Sequence, residues 1–317
     1  MTRTTRTTRT TRTSLALALT LAGSLGLAAC GGGSDPLASD SRSSGSSSAS
    51  GGSGQVVVGS ADFSESALLA EIYAGALKAK GVNATTKTNI GAREIYLKAL
   101  QDGSVQVVPE YTGALALYYD KGTTATDPQA VYDAAAKAVP SEFQLLERSA
   151  AEDNDSMAVT QETAQKDSLK AIGDLKAKAG DMTLGAPPEF KTRAQGVPGL
   201  EKTYGLTFSS FRPLRGQALV QALKNGQVDV ANIFSTDPAI AVNHFVLLED
   251  DKKLFGSQNV VPLVRKGALD DTGVQALDAV SKALTTEKLT ALLQQTDVEK
   301  KDPATVAQTF LKDNGLG

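Results

Sequence analysis

Few side chains in this sequence can do chemistry. Its 317 residues include one Cys, one His and no Trp. A Cys/His zinc site needs about four such ligands and is excluded, and a lone cysteine forms no internal disulfide. A hydrolase would need a Ser or Thr nucleophile with His244 as its base. His244 follows the helix-like run Pro238-Ala-Ile-Ala-Val-Asn243, and no Gly-x-Ser-x-Gly elbow is present. Paired carboxylates such as Glu110 and Asp237 suit glycoside hydrolysis, but their spacing does not single them out. No phosphate loop occurs. No metal, cofactor or catalytic centre is expected.

Two aromatic residues are better placed. Lys98-Ala-Leu-Gln-Asp-Gly-Ser-Val-Gln-Val107 is echoed by Gln221-Ala-Leu-Lys-Asn-Gly-Gln-Val-Asp-Val230, and at the same offset Tyr111 matches Phe234. Around each copy the pattern reads strand, helix, strand, helix, strand. In the first half the strands are Val56–Val58, Val82–Thr88 and Val105–Val108, with a helix capped near Ser64 and another over Ala92–Leu100. In the second half the strands are Met182–Gly185, Leu206–Phe208 and Val228–Val230, with helices from Pro188 and over Gln217–Lys224. This order predicts an α/β fold with parallel sheets in two lobes. Each lobe sets one ring beyond the carboxyl end of a strand, where open α/β sheets bind ligands. Two such lobes face to face make a cleft with an aromatic on each wall. The segment from about Gly273 reads as helical and is expected to pack back on the first lobe.

The chain ends of this body suggest where it works. Residues 1–13 after the initiator are Thr and Arg, and Ser14 to Leu27 is apolar, the layout of a secretory signal. Leu27-Ala28-Ala29-Cys30 resembles the bacterial lipobox, which makes Cys30 the expected lipidation site and mature N-terminus. Residues 31–54 are mostly Gly, Ser, Ala and Asp and read as a flexible tether. Four of the 32 basic residues lie in the first 29 positions, which leaves 28 against 35 acidic ones. That acidic balance argues against nucleic acid.

Five segments carry a family resemblance: Val57-Val-Gly-Ser-Ala-Asp-Phe-Ser-Glu65, Asn89-Ile-Gly-Ala-Arg-Glu-Ile-Tyr96, Pro109-Glu-Tyr-Thr-Gly113, Phe234-Ser-Thr-Asp237 and Pro262-Leu-Val-Arg265. They are similar to the glycine betaine/carnitine/choline-binding proteins of osmoprotectant ABC importers, over about residues 55–315. The resemblance implies a two-lobed type II periplasmic-binding-protein fold. Its segments would be a signal peptide over 1–29, the lipidated Cys and linker over 30–54, a first lobe over 55–157 and 258–317, and a second over 158–257. It implies a small-molecule ligand such as glycine betaine, choline, carnitine or proline betaine, and delivery to an ABC permease with its ATPase subunit. The expected protein is a monomer, lipid-anchored at the outer face of the cytoplasmic membrane.

The same resemblance assigns site residues. A quaternary ammonium has no N–H to donate and is held by aromatic faces. Tyr111 matches one cage position, and Phe234 stands where the family usually has Tyr. Met157 and Gln258 stand where further rings would be. On the carboxylate side Ala61 replaces a usual Lys and Ala114 a usual Thr, while Arg193 matches an anchoring Arg. Thr112 and Ser235 belong to the matching motifs. Asp62 either pairs with a cation or caps the helix beginning near Ser64. Each lost ring removes about 0.5–2 kcal/mol. An alternative therefore follows, in which the scaffold is re-tuned for another small ligand such as a polyphenol or another aromatic or amine. A tethered hydrolase is the remote alternative.

Overall fold

The structure, a computed structural model, describes residues 54–317. The signal segment, Cys30 and all but the last residue of the Gly/Ser stretch lie outside the described residues. The described strands form two five-stranded sheets. The first contains β1 (Val56–Gly59), β2 (Ala84–Lys87), β3 (Val107–Tyr111) and β4 (Phe143–Leu145). The chain then crosses to the second, made of β5 (Asp155–Val159), β6 (Thr183–Ala186), β7 (Ser210–Pro213), β8 (Val230–Phe234) and β9 (Val246–Leu248). It returns to finish the first sheet with β10 (Val260–Arg265).

The strand orders are β2-β1-β3-β10-β4 and β7-β6-β8-β5-β9. The echo in the sequence is therefore an echo in space, because β3 and β8 are both third in their sheets. Asp102-Gly103 and Asn225-Gly226 end the helix before each of these strands. Gly103 and Gly226 have φ of +81° and +65°, a left-handed turn that a side chain would strain. Two expectations need correction. The sheets are mixed, since β10 runs antiparallel to β3 and β5 antiparallel to β8. The strand expected at Leu206–Phe208 is instead β7, at Ser210–Pro213. Leu206 is buried in the second lobe's core, where its apolar side chain packs as a loop residue.

The helix α1 (Ser64–Ala79) shows why the first lobe holds together. Leu68, Leu69, Ile72, Tyr73, Ala76 and Leu77 recur at helical spacing and are all buried. They pack with Phe310 and Leu311 of the helix at Pro303–Asp313 and with Leu277 and Val280 of the helix at Asp271–Ala283. Each large side chain so buried stabilises the lobe by about 1.5–3 kcal/mol. The C-terminal segment thus belongs to the first lobe. The cap of α1 differs from the expectation: Phe63 precedes the helix, and the Ser64 hydroxyl donates to Asp297 Oδ2 at 2.6 Å.

Candidate functional site

A cavity of about 590 Å³ opens between the two sheets. The segments that line it follow the carboxyl ends of parallel strands. Ala61, Asp62 and Phe63 follow β1, Tyr111 ends β3, Pro187 and Glu189 follow β6, and Phe234 ends β8. This is where a sheet's loops leave room for a ligand.

Three rings meet there. Phe63 lies on Phe234 with centroids 5.6 Å apart, and 6.1 Å from Tyr111. Phe63 went unassigned in the sequence because its partners come from other strands. Tyr111 is fixed by what surrounds it. Its hydroxyl donates to Glu65 Oε1 at 2.6 Å, and its N–H donates to Glu110 Oε2 at 3.0 Å. Glu110 is wholly buried. It is held by Arg93 of α2 (Arg93–Asp102) through Nε at 3.0 Å and Nη2 at 3.0 Å, and by the Tyr96 hydroxyl at 2.7 Å. Arg93 and Glu110 are therefore a brace behind the ring.

The arginines at the cleft are all engaged. Arg215 of the second lobe bonds Asp62 of the first and, at 2.8 Å, Glu189 Oε2. Arg193 reaches Glu94 of the first lobe at 3.2 Å. Asp62 is thus an ion-pair partner across the cleft and does not cap α1.

The carboxyls are less well served. Asp155 stands opposite Phe234 in the β5–β8 register, so the two side chains share a face. Asn232 Nδ2 donates to Asp155 Oδ1 at 3.1 Å, and no ion pair reaches it. Burial pushes its pKa up from the ordinary carboxylate value. Asp237 is raised by burial first and then by Asp297. Glu65 and Asp153 are raised too, chiefly by burial. Among the described residues none of these four acids is ion-paired. The cations that share the cavity wall, Arg93, Arg193, Arg215 and Lys300, are bonded instead to Glu110, to Glu94, to Asp62 and Glu189, and to the Asp297 carbonyl.

The model of the family described as the substrate-binding domain of the ABC-type glycine betaine transport system matches residues 54–313. The chain belongs to this family. It is similar to the glycine-betaine-binding protein of Pseudomonas aeruginosa, with 27% identity over 273 residues, 82% of this chain and 88% of the relative. It is also similar to the carnitine transport binding protein OpuCC of Listeria monocytogenes, with 26% identity over 240 residues, 74% of this chain and 78% of the relative. In fold it resembles the crystal structure of a glycine betaine/carnitine/choline ABC transporter protein, at a TM-score of 0.66 and 24% identity, covering 82% of this chain and 99% of that one. The match to a transport family places the chain among substrate-binding proteins of ABC transporters.

For a member of this family, the structure distributes the residues assigned from the sequence unevenly. Tyr111, Phe234, Arg193, Asp62, Ala61, Ala114 and Gln258 line the cavity. Three others turn away and correct the assignment. Met157 is fully buried in the second lobe's core with Leu184, Val230 and Leu248. It shares a face with Asp155 but lies two residues deeper along the strand, about 6–7 Å from the cleft end. Thr112 and Ser235 each follow a ring and point elsewhere. Thr112 Oγ1 accepts the Asn259 N–H at 3.1 Å, and Ser235 Oγ accepts the Asn154 N–H at 2.8 Å. Gln258 lines the cavity, yet its amide is already used. Its Oε1 accepts the Ala114 N–H at 2.8 Å, near the start of α3 (Thr112–Tyr119), and its Nε2 donates to Phe255 O at 3.3 Å. It caps a helix where a ring was anticipated.

Proposed function

We propose that the cleft binds a small quaternary ammonium compound and hands it to an ABC permease powered by a separate ATPase subunit. The observation that carries this reading is the composition of the cavity wall. Phe63, Tyr111 and Phe234 supply ring faces, Asp155 supplies a carboxylate beside Phe234, and Arg93, Arg193 and Arg215 are each bound to acids. A cation is stabilised by ring faces and by nearby negative charge. An anionic group would have to displace Glu94, Asp62 or Glu189 from an arginine or turn to Lys300, which donates to the Asp297 carbonyl, whereas four acids of the wall stand without an ion pair among the described residues. The balance favours a ligand with net positive charge, of the choline type, ahead of a zwitterion of the betaine type. The family match supports the quaternary ammonium reading over the aromatic-ligand alternative.

The layout of residues 1–54 supports export, lipid attachment at Cys30 and a tether to the outer face of the cytoplasmic membrane. No helix among the described residues is long and apolar enough to cross a membrane. A monomer suits lobes that must open and close around a ligand.

Isothermal titration of the purified protein with choline, carnitine and glycine betaine tests the reading. Saturable binding of at least one of them, with choline strongest, is expected. No heat and no thermal shift with any of the three would refute it.

A further inference from the structure

Thr236 carries the observation. Its Oγ1 lies 2.5 Å from Glu65 Oε2 and 2.8 Å from Asp153 Oδ1. A threonine hydroxyl has one proton to give. Two ionised carboxylates cannot both be satisfied by it, so one of these short contacts requires a proton on a carboxyl. The Thr236 N–H also donates to Asp153 Oδ1 at 3.1 Å, and the Tyr111 hydroxyl donates to Glu65 Oε1. The carboxyls of Glu65 and Asp153 face each other as well. The cluster joins the molecule's parts: Glu65 belongs to α1 of the first lobe, Asp153 to the crossing between sheets, and Thr236 to the loop after β8. All three line the cavity.

The surroundings supply no counter-charge. Glu65 faces Tyr111 from β3 and Asp237 from the loop after β8, and Asp153 faces Asp155 at the start of β5. Behind Tyr111, Glu110 is bound by Arg93 of α2 and by Tyr96. Lys300 donates to the Asp297 carbonyl at 2.6 Å, and Arg193 and Arg215 hold Glu94, Asp62 and Glu189. Burial raises both carboxyls of the pair, in line with the geometry.

We infer that the Glu65–Thr236–Asp153 cluster holds one proton in the empty protein and gives it up to solvent when a cationic ligand enters the cleft. Binding is then an exchange of a cation for a proton. The inference rests on the reading of the cleft as a cation site and adds to it a specific linkage. A positive charge beside the rings favours the ionised pair, and the released proton goes to the buffer. The pair shares the proton, so neither residue owns it. Affinity for a cation therefore rises with pH, by at most about tenfold per unit while the cluster is still protonated. A neutral ligand of the same shape releases no proton.

Two measurements on the purified protein test this. The first is infrared spectroscopy of the empty protein at neutral pH, in the region of the protonated carboxyl C=O stretch. A band is expected that is lost in Asp153→Asn or in Glu65→Gln, the second variant guarding against misfolding of the first. The second is titration calorimetry with choline in buffers of different ionisation enthalpy. Release of a substantial fraction of a proton per choline is expected, together with loss of the infrared band at saturation. Both should vanish in the variants. An infrared spectrum in which neither variant removes a band would overturn the inference. Choline binding with an enthalpy independent of buffer would overturn the exchange while leaving the cation site intact. Failure of choline, carnitine and glycine betaine to bind at all would overturn the functional reading and the exchange together.

Discussion

Phe63 of the first lobe is stacked on Phe234 of the second, with ring planes 26° from parallel and centroids 5.6 Å apart. That is contact distance for two rings. An ammonium centre sits up to about 6 Å from one ring centroid, so no methylated ammonium fits between these two as they stand. The ligand head must use their outer faces or part them. Either way Phe63 offers the cavity a ring face, which Met157 and Gln258 do not.

Replacing Phe63 should therefore weaken binding. Phe63→Ala is expected to lower choline affinity by about 0.5–2 kcal/mol, roughly twofold to thirtyfold. Phe234→Tyr, which keeps the ring face, should retain it. Calorimetric dissociation constants for the two variants check this.

The Arg93–Glu110 pair should matter to stability first. Glu110→Gln leaves a buried guanidinium without its counter-charge, at a cost of about 3–5 kcal/mol. The double variant Arg93→Met with Glu110→Leu should lose less, because no uncompensated charge remains. Urea denaturation of the three proteins measures the difference.

Gln258→Ala should unfold more easily and bind nearly as before. It removes the acceptor for the Ala114 N–H near the start of α3, worth about 1 kcal/mol or somewhat more if the N–H is left unpaired. A large loss of affinity without a loss of stability would mean that the amide serves the ligand.

Stability should also depend on pH in a defined direction. Glu65, Asp153, Asp155 and Asp237 all titrate higher in the folded protein than a free carboxyl does, with burial the main cause. The native state then holds more protons than the unfolded one, and the free energy of unfolding falls as pH rises. The contribution is fully present below the ordinary carboxylate range and is lost as pH climbs through the raised native values. In the empty protein, Asp153→Asn should flatten this decline. Urea denaturation of wild type and variant at several pH values reads it directly.

Much of the fold was legible because it is repeated. The 123-residue offset between the two motifs is also the offset between β3 and β8 and between Tyr111 and Phe234. Local spacing likewise marked the α1 stripe and the glycine turns. What spacing could not show was how far along a strand the cleft ends. Asp155 and Met157 share a face, and only the core built by β6, β8 and β9 decides that one is wet and the other dry. Thr112 opens α3 and Ser235 follows β8, and each hydroxyl is taken by the backbone N–H of a segment distant in sequence, Asn259 and Asn154, which local spacing does not show. Phe63, Asp153 and Thr236 escaped notice because their roles arise from contacts between lobes, which no local pattern encodes. Arg215 was missed for the same reason.

The central claim is that the cleft recognises positive charge on a methylated head. Choline and 3,3-dimethylbutan-1-ol have the same shape and differ in that charge. Calorimetric titration of the protein with both tests the claim most directly. Choline should bind and the neutral alcohol should bind at least about tenfold more weakly, the equivalent of about 1.4 kcal/mol. Equal affinities would show that the rings and the carboxyls around Asp155 select by shape alone and would contradict the account.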